Sequence, residues 1–261
     1  MRKMCSGSTL TIELMGQAVS GALERHSGVA GFCQAALGQA RLLLVGAGGL
    51  ISHIAPTAAR KGIGQIALVD DDVVEANNLN RQFFYKRDIG SHKAVALARN
   101  LQRECTARTR LIGLALRFEE AAERGVLPDS DVAVCGVDNN PCRTAASAYF
   151  RRQGVPVIFT AVSRDADHGY VFVQDCRGAC IGCLFPDMVS DERYPCPGTP
   201  AIADVLQAVG ALTVYAIDSL LMTRPRSWNY RRISLADVSS EGAGCVAARP
   251  GCPLCAAEPL R

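Results

Sequence analysis

Residues 41–72 read RLLLVGAGGLISHIAPTAARKGIGQIALVDDD, an order of elements that few folds accommodate. The run 42–45 is apolar without alternation, so both of its faces have to be covered, as in a buried parallel strand. Gly46, Gly48 and Gly49 follow directly. A helix is predicted from there to about Lys61, and Gly62 stops it. A second apolar strand, 65–69, ends in Asp70. Strand, glycine turn, helix and strand make one βαβ unit, whose crossover is right-handed. Glycines at such a turn let backbone N–H groups approach an anion at the helix N-terminus. A carboxylate about 20 residues on, here Asp70, is placed to hold ribose hydroxyls. Where the dinucleotide fingerprint has its third glycine, this chain has Ile51. By itself the unit suits NAD, FAD, S-adenosylmethionine or ATP, and a tight strand–helix turn without a ligand is the plainer alternative.

The unit opens a longer alternation. Further strands are predicted at 110–115, 131–135, 155–161 and 169–174, with a last one near 233–237. Helices are predicted from a Ser91 cap to about residue 104, over 141–153 with Pro141 in the first turn, and over 201–222 with Thr199 as cap. The pattern predicts an α/β fold built on a doubly wound, mostly parallel, Rossmann-like sheet. Ahead of it, Leu10, Leu14, Ala18 and Ala22 share one helical face, followed by Phe32, Ala36 and Leu37, with Gly28 and Gly31 as breaks. Residues 1–40 are therefore expected to form an N-terminal helical arm and residues 41–261 the main domain.

The 261 residues suffice for one large α/β domain or two small ones. A net charge of +3 with both signs mixed leaves no basic face for DNA or RNA. The longest apolar stretch, 201–222, is interrupted by Asp204, Gln207 and Asp218, which fits a buried amphipathic helix and not a membrane span. No secretion signal is recognisable, because Glu13 interrupts the apolar residues 10–14, and the expected compartment is the cytoplasm.

In that compartment, twelve cysteines point to metal or thiol chemistry more than to disulfides. Cys180 and Cys183 form one CxxC pair and Cys252 and Cys255 another, together enough for four thiolates around a tetrahedral zinc. A redox CxxC and metal-free buried cysteines are the alternatives. A redox motif normally opens a helix, and neither pair is expected to. Cys196 precedes the long helix, whose N-terminus would favour a thiolate; an exposed structural cysteine is the alternative.

The stretch after the second strand, VVEANNLNRQFFYKRDIGSHK, narrows the ligand. Nicotinamide binding does not need Asn78, Arg81 and Lys93 there. A triphosphate does, because Arg bridges phosphate oxygens with its planar fork and Lys adds a compact charge. Both would offset the charge that builds on a departing pyrophosphate. Asp138, at the carboxyl edge after 131–135, is placed to help hold magnesium. Taken singly, Arg81 and Lys93 read as surface charge; taken together with Asn78 and Asp138, they read as a phosphate site.

With GAGGL, LVDDDVVEANNLNRQ, GSHKA and GVDNN in this order, the chain resembles the E1-like adenylating enzymes over roughly residues 41–258. That superfamily includes the ThiF and MoeB proteins and the activating enzymes of ubiquitin-like modifiers. The resemblance implies ATP-dependent adenylation of the C-terminal carboxylate of a small ubiquitin-like (β-grasp) or sulfur-carrier protein, or sometimes of a peptide. It implies ATP on Gly46, Gly48 and Gly49, with Asp70 at the ribose, Asn78, Arg81 and Lys93 at the phosphates and Mg2+ at Asp138. It further implies zinc on Cys180, Cys183, Cys252 and Cys255, Cys196 as an acyl-accepting or sulfur-transferring cysteine, and a homodimer. Residues 41–261 would then be an adenylation domain with zinc-binding segments. An enzyme that modifies a ribosomal peptide, a non-catalytic partner subunit and a nicotinamide oxidoreductase are the competing readings.

Overall fold

The computed structural model describes residues 10–188, 200–222 and 224–255. In chain order the elements are β1 (Leu10–Met15), α1 (Gln34–Gln39), β2 (Arg41–Val45), α2 (Ile51–Arg60), β3 (Gln65–Val69), α3 (Lys93–Leu101), β4 (Arg110–Ala115), α4 (Phe118–Glu123), β5 (Val132–Cys135), α5 (Asn140–Gln153), β6 (Val157–Val162), β7 (His168–Gln174), α6 (Ile181–Leu184), α7 (Ala203–Leu221), β8 (Tyr230–Ser234) and β9 (Gly242–Gly244). Among the described residues, nine strands join one sheet, in the order β1-β4-β3-β2-β5-β6-β7-β8-β9.

The five strands from β4 to β6 are parallel. By order of appearance among themselves they run third, second, first, fourth, fifth. The direction of winding therefore reverses between β2 and β5, and the loops leaving those two strands flank the crevice where ligands of such sheets bind. Alternate residues of β2 serve opposite layers. Leu42 and Leu44 pack with Ile51, Ile54, Leu97 and Val205 from α2, α3 and α7. Leu43 and Val45 pack with Phe118, Phe150 and Ile181 from α4, α5 and α6. Cover on both faces is why the strand is apolar throughout.

Two expectations are corrected. The sheet is mixed and not mostly parallel: β1 runs antiparallel to β4, and β7, β8 and β9 continue antiparallel from β6. The link from β6 to β7 is only residues 163–167, too short for a crossover, so the chain turns back on itself. Residues 10–15 of the N-terminal arm are also not helical. Residues 10–15 form β1, in which half-buried Ile12 and Leu14 alternate with exposed Thr11 and Glu13. Pairing to the otherwise open edge of β4 outweighs the helical spacing, and Glu13 closes an ion pair with Arg110 at 2.8 Å across the two strands. Among the described residues of the arm, only a single turn at Glu24–His26 and the short α1 are helical.

Smaller shifts have local causes. Helix α3 starts at Lys93 with His92 as its N-cap and no side-chain cap bond. Ser91, the expected cap, spends its backbone on closing the preceding loop, donating to Asp88 O and accepting from Val74 N. The last expected strand falls earlier, as β8, and is followed by β9.

Helix α7 is long and apolar enough, by length and composition, to cross a membrane. Here its buried side lies on α2, β6 and β7. Asp218, 1% exposed, faces into that contact and accepts from Lys61 at the end of α2 and from Arg224 at 2.8 Å. Removing the carboxylate leaves two cations facing each other in a partly dry site. Asp218→Ala is expected to cost about 3 kcal/mol, read as a lower urea midpoint at unchanged slope.

Candidate active site

The glycine turn is shaped by close approaches. Gly46 has φ +94°, a left-handed conformation open to glycine, and donates to Val69 O at 2.9 Å, which ties the turn to the end of β3. At Gly49 a Cβ would stand 2.9 Å from Leu206 Cδ1 of α7, so glycine there admits the long helix. Gly48 faces open space. Ile51, which departs from the small-residue pattern, is completely buried. Its Cγ1 and Cδ1 occupy the space where a Cβ of Gly136, at the exit of β5, would lie 3.0 Å away. A small residue, Gly136, thus meets Ile51 in space from just beyond β5.

Asp70 holds the turn from the other side. Its carboxylate accepts from Ala47 N at 2.6 Å and from Asp72 N at 2.8 Å. Burial pushes its pKa up to about 6, against the pull of the Lys93 charge and of the two N–H donors. Beyond it, residues 72–93 form a loop pinched at its base. Lys93 N donates to Asp72 O at 2.8 Å, and Lys93 Nζ, on a residue only 9% exposed, reaches Asp72 Oδ2 at 2.7 Å. Buried Asn78 caps the turn inside this loop, accepting from Glu75 N at 2.9 Å and donating to Asn77 Oδ1 at 2.8 Å. Arg81 rests on the same loop, donating to Asn77 O at 2.7 Å and Asn80 Oδ1 at 2.9 Å.

These residues converge. One cleft of about 1300 Å³ is lined by Gly46, Gly48, Gly49, Asp70, Asn78, Arg81, Lys93 and Asp138. Three further groups in or beside it were not singled out from the sequence. Arg143 of α5 lines the cleft and donates to Val137 O at 2.8 Å and Asn140 Oδ1 at 3.1 Å. Arg117 lines it at the N-cap of α4. His53 of α2 donates through Nε2 to Arg81 O at 3.2 Å, holding the arginine's backbone to the helix behind the glycine turn. Burial pushes the His53 pKa down, against the opposite pull of that bond. Arg117 and Arg143 follow the ends of strands, the one signal that would have marked them.

The four paired cysteines also meet. Both CxxC pairs close the same turn: Cys183 N donates to Cys180 O at 2.9 Å, and Cys255 N to Cys252 O at 3.1 Å. Their sulfurs lie 3.3 to 3.7 Å apart along the measured contacts, and all four sit within 4.8 Å of one another. A disulfide needs about 2.05 Å, whereas a tetrahedron with Zn–S bonds of about 2.3 Å has edges of about 3.8 Å. The donor set therefore fits zinc. Burial raises the Cys180 and Cys255 thiols. Cys252, though burial opposes it, is held down at about 6 by the backbone N–H of Cys255 and the neighbouring Cys180 thiol. Contrary to expectation, the first pair does open a helix: Cys180 is the N-cap of α6, a single turn of four residues. Cys196 and Thr199 lie outside the described residues; Met188 and Pro200, on either side of that segment, both line the cleft.

Because the folded pKa of Asp70 lies above its ordinary 3.8, the folded chain holds a proton that the unfolded chain has already released. The stability contributed by this group is present at low pH and falls as pH rises from 3.8 to about 6. Urea unfolding at stepped pH is expected to show that fall, and Asp70→Asn is expected to flatten it.

The chain has counterparts among known proteins. The SAMP-activating enzyme E1 of Haloferax volcanii is 29% identical over 229 residues, covering 85% of this chain and 82% of that one. The sulfur carrier protein adenylyltransferase of Thermus thermophilus is 28% identical over 237 residues, with 87% and 86% covered. Mouse adenylyltransferase and sulfurtransferase MOCS3 is 31% identical over 251 residues, 87% of this chain but 50% of its own length. In fold, the chain is similar to the crystal structure of E. coli MccB with ATP, at TM-score 0.70 and 20% identity, over 85% of this chain and 68% of that one. The ThiF family pattern itself matches residues 20–253, and the chain belongs to the ThiF family.

Proposed function

We propose that this protein is an ATP-dependent adenylating enzyme acting on the C-terminal carboxylate of a small ubiquitin-like or sulfur-carrier protein of the β-grasp type. The observation that carries the reading is the convergence in one cleft of the glycine turn, Asp70, Asn78, Arg81, Lys93 and Asp138. The similarity to an E1 and to a sulfur-carrier adenylyltransferase, over more than four-fifths of each, supports it.

ATP supplies an α-phosphorus open to attack and a pyrophosphate that departs. The chain's residues bind and orient it. Backbone N–H groups of the glycine turn face the phosphates, and Asp70 accepts the ribose hydroxyls. Lys93 and Arg81 have partners they can exchange: Lys93 leaves Asp72, and Arg81 leaves Asn77 O and Asn80, to meet phosphate oxygens. His53 keeps the Arg81 backbone fixed while its side chain moves. Asp138 would hold Mg2+, with oxygen ligands of the kind that ion prefers. The attacking carboxylate is already a nucleophile and needs no base, so the catalytic contribution is placement and charge compensation. Cys196 is the candidate to accept the acyl group or sulfur afterwards. Cys180, Cys183, Cys252 and Cys255 would hold zinc and tie the α6 turn to the chain's C-terminal loop. The family resemblance supports a cytoplasmic homodimer.

ATP–pyrophosphate exchange with Mg2+ and a carrier protein ending in Gly-Gly tests the activity. Exchange by the native chain is expected, with Arg81→Ala and Lys93→Ala each slower by about 10²- to 10³-fold. A thermal shift with NAD and none with Mg-ATP would sink the reading. Cys196→Ala is expected to keep exchange and to lose transfer; full transfer by that variant removes the role. Metal analysis of freshly purified protein is expected to find about one zinc per chain.

A further inference from the structure

Arg151, near the end of α5, is 5% exposed and has no carboxylate within ion-pair distance among the described residues. A guanidinium stays charged at any pH a protein survives, and burying a charge without an opposite one is costly. Its hydrogen bonds go to two neutral carbonyls, Cys176 O at 3.2 Å and Gly178 O at 2.6 Å. Its Nε is buried without a partner. What remains is sulfur: Nη2 stands 3.9 Å from Cys255 Sγ.

That arrangement has a chemical reading. Four neutral thiols, or two disulfides, would leave Arg151 uncompensated. Four thiolates around a divalent ion carry a net charge of −2, which the guanidinium offsets through space. The geometry also joins the two halves of the cluster. The carbonyls of Cys176 and Gly178 belong to the loop that leads into Cys180, whereas Cys255 comes from the other pair, far along the chain. Ser147, one turn earlier on the same face of α5, supports the first half as well. Its Oγ donates to Gln174 Oε1 at 2.7 Å, and that oxygen also accepts from Ile181 N at 3.1 Å, at the start of α6.

We propose that Arg151 is the built-in counter-charge of the four-cysteine centre, a positioning residue that sets how tightly the centre keeps its metal. The inference rests on the zinc reading given above. It is tested on the full chain by chelator competition for zinc, with Arg151→Met (no charge, no donor), Arg151→Gln (donor, no charge), Arg151→Lys (charge, no fork) and Ser147→Ala. Arg151→Met and Arg151→Gln are expected to hold zinc about 10- to 100-fold more weakly. Arg151→Lys is expected to recover most of that loss, and Ser147→Ala to lose little. Cobalt substitution separates weaker binding from a lost ligand, since an unchanged thiolate-to-cobalt absorption means that all four sulfurs still bind. Equal zinc affinity in Arg151→Met and the native chain overturns the proposal. So does Arg151→Lys as weak as Arg151→Met, or Ser147→Ala as weak as either, because packing then explains the effect. A native chain that binds no zinc overturns the underlying metal reading instead, and the two failures are distinguishable.

Discussion

The Asp70 carboxylate is the joint on which the site depends. It bonds at once to Ala47 N in the glycine turn and to Asp72 N in the loop beyond β3. Those two segments leave neighbouring parallel strands at the same end of the sheet. The strands are fixed by apolar cover on both faces, but the loops leaving them have no such cover. One buried acceptor gives both loops a common origin. Burial raises the cost of keeping it charged, and the nearby Lys93 lowers that cost. The geometry of the cleft around the glycine turn therefore rests on a local balance of desolvation against charge.

From that joint the rest of the cleft follows by short links. Asp72 engages Lys93 through its carbonyl and its carboxylate, which closes the loop that carries Asn78 and Arg81. Asn78 shapes the loop from within, and His53 fastens it to α2. Lys93 is thus charge-compensated by Asp72, whereas half-buried Arg81 is held by the neutral oxygens of Asn77 and Asn80. Each cation in the cleft loop has polar partners, and neither is stranded in a dry place.

The central architecture was legible because its signals are local. An unbroken apolar run, a glycine turn and a carboxylate after the next strand specify β2, α2 and β3 whatever surrounds them. Asn78, Arg81 and Lys93, which line the cleft, were legible through their order behind that unit, and the four-cysteine cluster through its spacing. What escaped depends on distant partners. Residues 10–15 become a strand only because the edge of β4 is free to pair. Arg117, Arg143 and His53 carry no motif, and only packing brings them to the cleft or its supporting loop. Arg151 lies 25 residues from Cys176 and 104 from Cys255, so nothing in the linear order connects it to the cluster.

Ile51 and Gly136 fill one volume from opposite sides, the isoleucine from α2 and the missing side chain from the exit of β5. Their acceptability is consequently joint. A Cβ at 136 would stand 3.0 Å from Ile51, which must give by a few tenths of an ångström or shrink, and a small residue at 51 leaves a void unless 136 grows. The two sites are epistatic: exchanging both together passes between packed states, whereas either single change crosses an unfavourable one. The segment that leaves β5 towards Asp138 and the helix behind the glycine turn are thereby obliged to vary in concert.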